Sequence, residues 1–185
     1  MPPSLLVHVC CAPCATLPVC SWLLRRPRPE LRLWFYNPNI QPAEEFRRRR
    51  DAVAFLVLEL KNLVPDLTTP LPVDFSPPYE PSEFLAAVAE TPQAPDRCRA
   101  CCRLRLRAAA IEAKALGLAA FTTTLLYSRR QRHGIIKEEG FRAAVETGVE
   151  FHYEDFRDKW REGVELGRRL SLYRQRWCGC VYEAR

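Results

Sequence analysis

Residues 5–14 read LLVHVCCAPC, and the step from a short apolar run into a thiol-bearing Ala-Pro turn decides how the rest of the chain is organised. LLVHV has the length and β-branched character of a buried strand, and the ATLPVCSWLLRR that follows is helical. Working outward, LRLWFYNPNI (31–40) gives a second strand halted by an Asn-Pro-Asn turn. PAEEFRRRRDAVAFLVLELKNLV (42–64) carries apolar residues at 46, 53, 56, 57, 60, 63 and 64 and acids in its first turn, which predicts a long amphipathic helix. PLPVDF (70–75) is a weak third strand, and PSEFLAAVAE (81–90) a helix capped by Ser82. TPQAPDR is a loop delivering Cys98, and CRACCRLRLRAAAIEAKALGL a helix ending near Gly117. AAFTTTL (119–125) and VEFHYEDF (149–156) are further strands, separated by the helix GIIKEEGFRAAVETG, and WREGVELGRRLSLYRQ (160–175) is a last helix before WCGC. Strands alternating with helices predict a single α/β domain over residues 1–185. The expected architecture is three αβα layers around a largely parallel, Rossmann-like sheet, with a metal site at the carboxyl ends of the strands.

The bulk composition narrows the function classes. Of 185 residues, 48% are hydrophobic and 27% charged, which excludes wholesale disorder. No stretch is long and apolar enough for a membrane span, and the N-terminus lacks the pattern of a signal peptide, so a reducing cytoplasm is expected. There, nine cysteines point to metal or redox chemistry rather than to structural bridges. The net charge is +6, and lysine occurs only at 61, 114, 137 and 159, so arginine supplies nearly all the positive charge. Guanidinium groups suit phosphate, although a solvated basic surface explains the charge equally well. No G-x-x-x-x-G-K-S/T loop or G-x-G-x-x-G fingerprint is present, so ATP and NAD chemistry are not indicated.

The cysteines fall into three groups. Cys10, Cys11 and Cys14 sit where the first strand hands over to a helix, a place that favours thiolates. Neighbours on a straight strand point to opposite faces, so Cys10 and Cys11 can share one metal only if the chain turns there. Cys98 and Cys101 form a C-x-x-C pair. Together, Cys10, Cys11, Cys98 and Cys101 supply the four thiolates of a [4Fe-4S] cluster or a tetrahedral zinc site, and the vicinal pair fits zinc knuckles poorly. Cys178 and Cys180 flank a glycine, and the strained ring a disulfide would close there has the profile of a catalytic redox pair. Cys20 reads as a small buried hydrophobe and His8 as a packed core histidine. Asp155 and Arg157 follow a strand end, as do Thr123, Tyr127 and Gln131, though an ion pair and an ordinary turn account for them as well.

Six ordered blocks, HVCCAPC, FYNPNIQPAEEFRRR, RCRACCRLRL, FTTTLLYSRRQRHGIIKEEG, EDFRDKWREG and LYRQRWCGC, resemble the QueH family of epoxyqueuosine reductases. The resemblance implies an oxidoreductase of tRNA processing, acting at the last step of queuosine biosynthesis. The epoxide of epoxyqueuosine, already at the wobble position of tRNA, loses its oxygen in a two-electron reduction. It implies Cys10, Cys11, Cys98 and Cys101 as [4Fe-4S] ligands and Cys178 with Cys180 as a redox-active disulfide. Cys14 is then a candidate ligand for a second, mononuclear iron, Asp155 and Arg157 are candidate catalytic groups, and Thr123, Tyr127 and Gln131 candidate substrate contacts. Cobalamin is not implied, and reducing equivalents come from an external donor. The arginine excess becomes a track for the tRNA backbone, and Trp160, Tyr173 and Trp177 become candidates for stacking a base, against a core role for each. One departure is Cys102, where the family usually has tyrosine. The rival readings are a zinc-stapled tRNA-binding module without redox activity and a thiol-disulfide oxidoreductase.

Overall fold

The computed structural model of the chain describes residues 1–183. Five strands form its sheet: β1 (Ser4–His8), β2 (Glu30–Trp34), β3 (Val73–Asp74), β4 (Ala120–Thr123) and β5 (Glu150–Phe151). They run in the order β3-β2-β1-β4-β5, and every neighbouring pair is parallel. Leu5, Leu6 and Val7 are buried on both faces, which is why β1 reads as a continuous apolar run rather than an alternating one.

Six helices cover the sheet: α1 (Ala12–Leu23), α2 (Ala43–Leu63), α3 (Pro81–Val88), α4 (Asp96–Ala115), α5 (His133–Thr147) and α6 (Trp160–Arg169). α1 packs with α2 and α6, whereas α4 packs with α5, giving the layered α/β architecture the alternation predicts. None of the helices among the described residues is long and apolar enough to cross a membrane.

Four local expectations need correction. Pro81 takes the first position of α3, so Glu80 is its N-cap, and the Ser82 hydroxyl donates to the Glu80 carboxylate instead of capping the helix. The strand after β1 on the switch side stops at Thr123, whose hydroxyl caps a 3-10 turn over Thr124–Tyr127 by accepting from Leu125 N at 3.2 Å. β5 is two residues long instead of spanning 149–156. α6 ends at Arg169, because Ser171 adopts φ 52° and the chain leaves the helix as an extended strap.

His8 closes the end of β1. Its Nε2 donates to the Tyr36 carbonyl at 3.0 Å, which leaves Nδ1 to accept from the Thr123 hydroxyl at 2.8 Å, so one imidazole ties β1 to both its neighbours. Complete burial, helped by the charge of Arg105, lowers its pKa to about 4. The unfolded chain binds this proton more readily than the folded one between about pH 6.5 and 4, so its contribution is complete above the upper value and is lost as pH falls through that window. The expected loss is on the order of 3 kcal/mol. Urea unfolding across this pH range would show the slope in the native sequence and a flatter one in His8→Gln.

Candidate metal centre

β1 and β4 flank the point where the strand order reverses, the place where open α/β sheets bind their ligands. Val9 N still donates to Trp34 O at 2.8 Å, but Cys10 N turns away and donates to the Thr124 hydroxyl at 3.0 Å. Cys11 then becomes the extended N-cap of α1, with Pro13 in the first turn of the helix. The chain therefore turns at the vicinal cysteines, as a shared metal requires. The sulfurs of Cys10, Cys11 and Cys14 lie within 4.8 Å of one another, all buried. Among the described residues this is the convergent group of potential metal ligands.

The three thiols are not equivalent. Hydrogen bonds from Cys11 and Cys14 hold the Cys10 thiol well below its ordinary range, and the Thr124 hydroxyl adds a third donor at 3.3 Å. Burial pushes Cys11 up, and the hydrogen bonds Cys14 gives to Cys10 and Cys11 push Cys14 up as well. The group accepts one negative charge readily and resists a second and third in the absence of a cation. A bound metal supplies that cation and displaces the remaining protons.

Cys10 and Cys14 line a cavity of about 1040 Å³ together with Cys98 and Cys178. Cys98 and Cys101 lie on the first turns of α4, and Cys101 is buried beside Phe84, Val88 and Cys180. The register of α4 is fixed by Glu139 of α5, whose fully buried carboxylate accepts from Arg103 at 2.9 Å and Arg99 at 3.0 Å. The structure thus groups Cys14 with Cys10 and Cys11, and brings Cys98 to the same cavity from the opposite layer.

The strap after α6 closes the cavity. Gln175 Nε2 donates to Cys11 Sγ at 2.8 Å, and the Tyr173 hydroxyl donates to Glu45 at 2.6 Å. Arg49, buried and paired with Glu45 at 2.6 Å, donates to the carbonyls of Cys178 and Trp177 at 3.0 and 3.2 Å. This anchor presents the Cys178 and Cys180 sulfurs 3.4 Å apart, both unbridged. A hydrogen bond from Cys180 lowers the Cys178 thiol to about 6, and donating that bond raises Cys180.

The donor chemistry fits the cluster that the family resemblance implies and equally fits zinc. The set is all sulfur, which suits soft metals. Arg105 adds independent support, since this buried guanidinium faces the thiols and has no carboxylate partner among the described residues.

The other expected site residues divide. Tyr127, Gln131, Trp160 and Trp177 line the cavity. Thr123 does not, being engaged by His8 and Leu125 N. Asp155 and Arg157 pair with each other at 2.6 Å beside a separate surface cavity of about 350 Å³, shared with Arg129 and Asp158. Cys20 and Cys102 are buried in the main core. Sequence reasoning passes over Arg49, Arg105 and Gln175. Only Arg105 carries a signal, its position four residues after Cys101 on one helix face.

Comparison with known proteins gives one result throughout. The family model described as epoxyqueuosine reductase QueH matches residues 5–185. A protein of that name from Dehalococcoides mccartyi is 33% identical over 182 residues, covering 98% of this chain and 93% of the relative. One from Thermotoga maritima is 33% identical over 186 residues, covering 97% and 89%. One from Streptococcus pyogenes is 32% identical over 188 residues, covering 99% and 71%.

Proposed function

The chain belongs to the QueH family of epoxyqueuosine reductases, and from that membership we propose that it removes the epoxide oxygen of epoxyqueuosine in tRNA. The epoxide takes up two electrons and two protons, both C–O bonds break, and an alkene and water leave. The single observation that carries this reading is the convergence of Cys10, Cys11 and Cys14 at the switch point of the sheet, facing Cys98 and Cys178 across one cavity. Cys10, Cys11, Cys98 and Cys101 would hold a [4Fe-4S] cluster, and Cys14 is placed to ligate an iron beside it. Bound there, the cluster supplies single-electron transfer and the iron a Lewis acid for the epoxide oxygen.

The chain's own groups do the rest. Oxidation of Cys178 and Cys180 to a disulfide releases two electrons and two protons, the quantity one epoxide consumes, and an external reductant then restores the thiols. Gln175 Oε1 and Trp177 Nε1 are buried without a hydrogen-bond partner among the described residues, and both residues line the cavity. They give a bound nucleoside one acceptor and one donor. Because the substrate is tRNA, the reaction takes place in the cytoplasm.

The cavity mouth suits a nucleic-acid strand. Arg130, Arg132, Arg174 and Arg176 are exposed there and have no carboxylate partner among the described residues. Replacing Arg130, Arg174 and Arg176 together by alanine is expected to reduce the slope of log affinity against log salt by about 2, roughly 0.7 per lost contact to a single strand. Equal slopes, measured by tRNA titration at several salt concentrations, would remove the mouth from the interface.

The function is tested by reconstituting the protein with iron and sulfide under anaerobic conditions. It is then incubated with epoxyqueuosine tRNA and a strong reductant, and the digested nucleosides are separated. Conversion to queuosine is expected. An iron-loaded protein that makes none defeats the proposal, and a colourless protein that binds tRNA and zinc replaces it with a binding module.

A further inference from the structure

Three arginine side chains are buried among the described residues: Arg49, Arg97 and Arg105. Two are matched by carboxylates, Arg49 by Glu45 at 2.6 Å and Arg97 by Glu183 at 2.8 Å. Arg105, 5% exposed, has no carboxylate among the described residues. Its polar partners are the Cys101 carbonyl at 3.4 Å and Asn37 Oδ1 at 3.5 Å, both neutral and both long for a charge-assisted bond. A guanidinium withdrawn from water at this depth is costly unless a negative charge faces it. The groups that do face it are the sulfurs of Cys101, Cys102, Cys10 and Cys178. It also lines the cavity that Cys10, Cys98 and Cys178 line.

We infer that Arg105 is the counter-ion of the metal centre, a positioning residue whose fixed positive charge offsets the thiolate-bound group and raises its reduction potential. The inference rests on the iron-sulfur reading given above. A cluster held by four thiolates is anionic and becomes more so with each electron it accepts. A nearby positive charge therefore favours the reduced form, and net charge and hydrogen bonding are among the factors that set such potentials. Because the guanidinium lines the same cavity as Cys10, Cys98 and Cys178, its charge acts where the cysteine pair would deliver electrons. Neutralising Arg105 should lower the midpoint potential while leaving the four thiol ligands in place.

The test is a potentiometric titration of the reconstituted protein under anaerobic conditions, followed by visible absorption and electron paramagnetic resonance, with no substrate present. The variants are Arg105→Met, which removes the charge at similar size, and Arg105→Lys, which keeps it. Asn37→Asp leaves the guanidinium in place and gives it a carboxylate of the same shape as the amide. A midpoint shifted downward in Arg105→Met and Asn37→Asp, and held nearer the native value in Arg105→Lys, supports the inference. So does loss of bound iron in a folded Arg105→Met that Arg105→Lys restores. A native midpoint in Arg105→Met overturns it. Should Arg105→Met fail to fold, a native midpoint in Asn37→Asp overturns it alone. A wild-type protein that takes up no cluster is a different result, which brings down the iron-sulfur reading and this inference with it.

Discussion

Cys10→Ser is expected to bind no stable cluster and to lose turnover to below detection, whereas Cys14→Ser should keep the cluster's visible absorption and lose one iron. Cys10 is the sulfur on which the other two converge, accepting hydrogen bonds from Cys11, Cys14 and Thr124. Serine at that position offers a hard, weakly acidic oxygen where a soft thiolate is needed. Cys14 is set on the first turn of α1 and faces the open cavity, a position from which it can serve a separate ion. Iron and sulfide analysis of the two variants separates the roles. Identical losses from both would mean that the triad binds as a single unit, and the division between cluster and second iron would fall.

Gly179→Ala and Arg49→Ala are expected to be the most damaging substitutions outside the cysteines. Gly179 has φ 111°, a conformation that non-glycine residues rarely adopt, and a Cβ there would lie 2.9 Å from Ile40 Cγ1 and 3.1 Å from the Arg49 guanidinium. Backbone strain of this kind costs roughly 1–3 kcal/mol before the collision is counted. Removing Arg49 leaves the buried Glu45 carboxylate with only the Tyr173 hydroxyl and frees the carbonyls of Trp177 and Cys178, a loss on the order of 3–5 kcal/mol. Urea midpoints measure both effects. If the strap positions the redox pair, activity in each variant should fall further than the folded fraction explains. Activity that tracks the folded fraction would make the strap a purely structural element.

The amino-acid pattern revealed the fold where local chemistry decides it. LLVHV is buried on both faces, the Ala-Pro step turns the vicinal cysteines, and the long apolar spacing of α2 needs no tertiary help. It failed where distant contacts decide. WREGVELGRRLSLYRQ has enough charge periodicity to look helical to its end, yet the chain leaves the helix after Arg169, and the segment that follows is held by Arg49, Glu45 and Cys11, partners more than a hundred residues away in sequence. VEFHYEDF has strand composition, but its ladder with β4 is limited to Glu150 and Phe151, with one further bond from His152 N to Phe121 O at 2.9 Å. The thiols were legible as a set because of their spacing, and Cys10, Cys11 and Cys14 converge as the group that spacing suggested. The nearness of Cys101 to Cys180 was not legible, since it depends on how α4 packs. Arg105 was hidden for a related reason: one arginine among many is noticed only when its neighbours are seen to lack a carboxylate.

β1 is flanked in the sheet by β4, and the two are joined by some of the longest excursions the chain makes. The triad takes part of its shape from that junction, because Cys10 N donates to the Thr124 hydroxyl, a partner far away in sequence. Pairing over such a span comes late, since the loop between must close before the contact repays it. During synthesis, therefore, the first three thiols emerge from the ribosome long before the surroundings that turn them into a binding site exist. Metal loading at the triad would then follow folding, and a growing chain would have to be kept reduced until then.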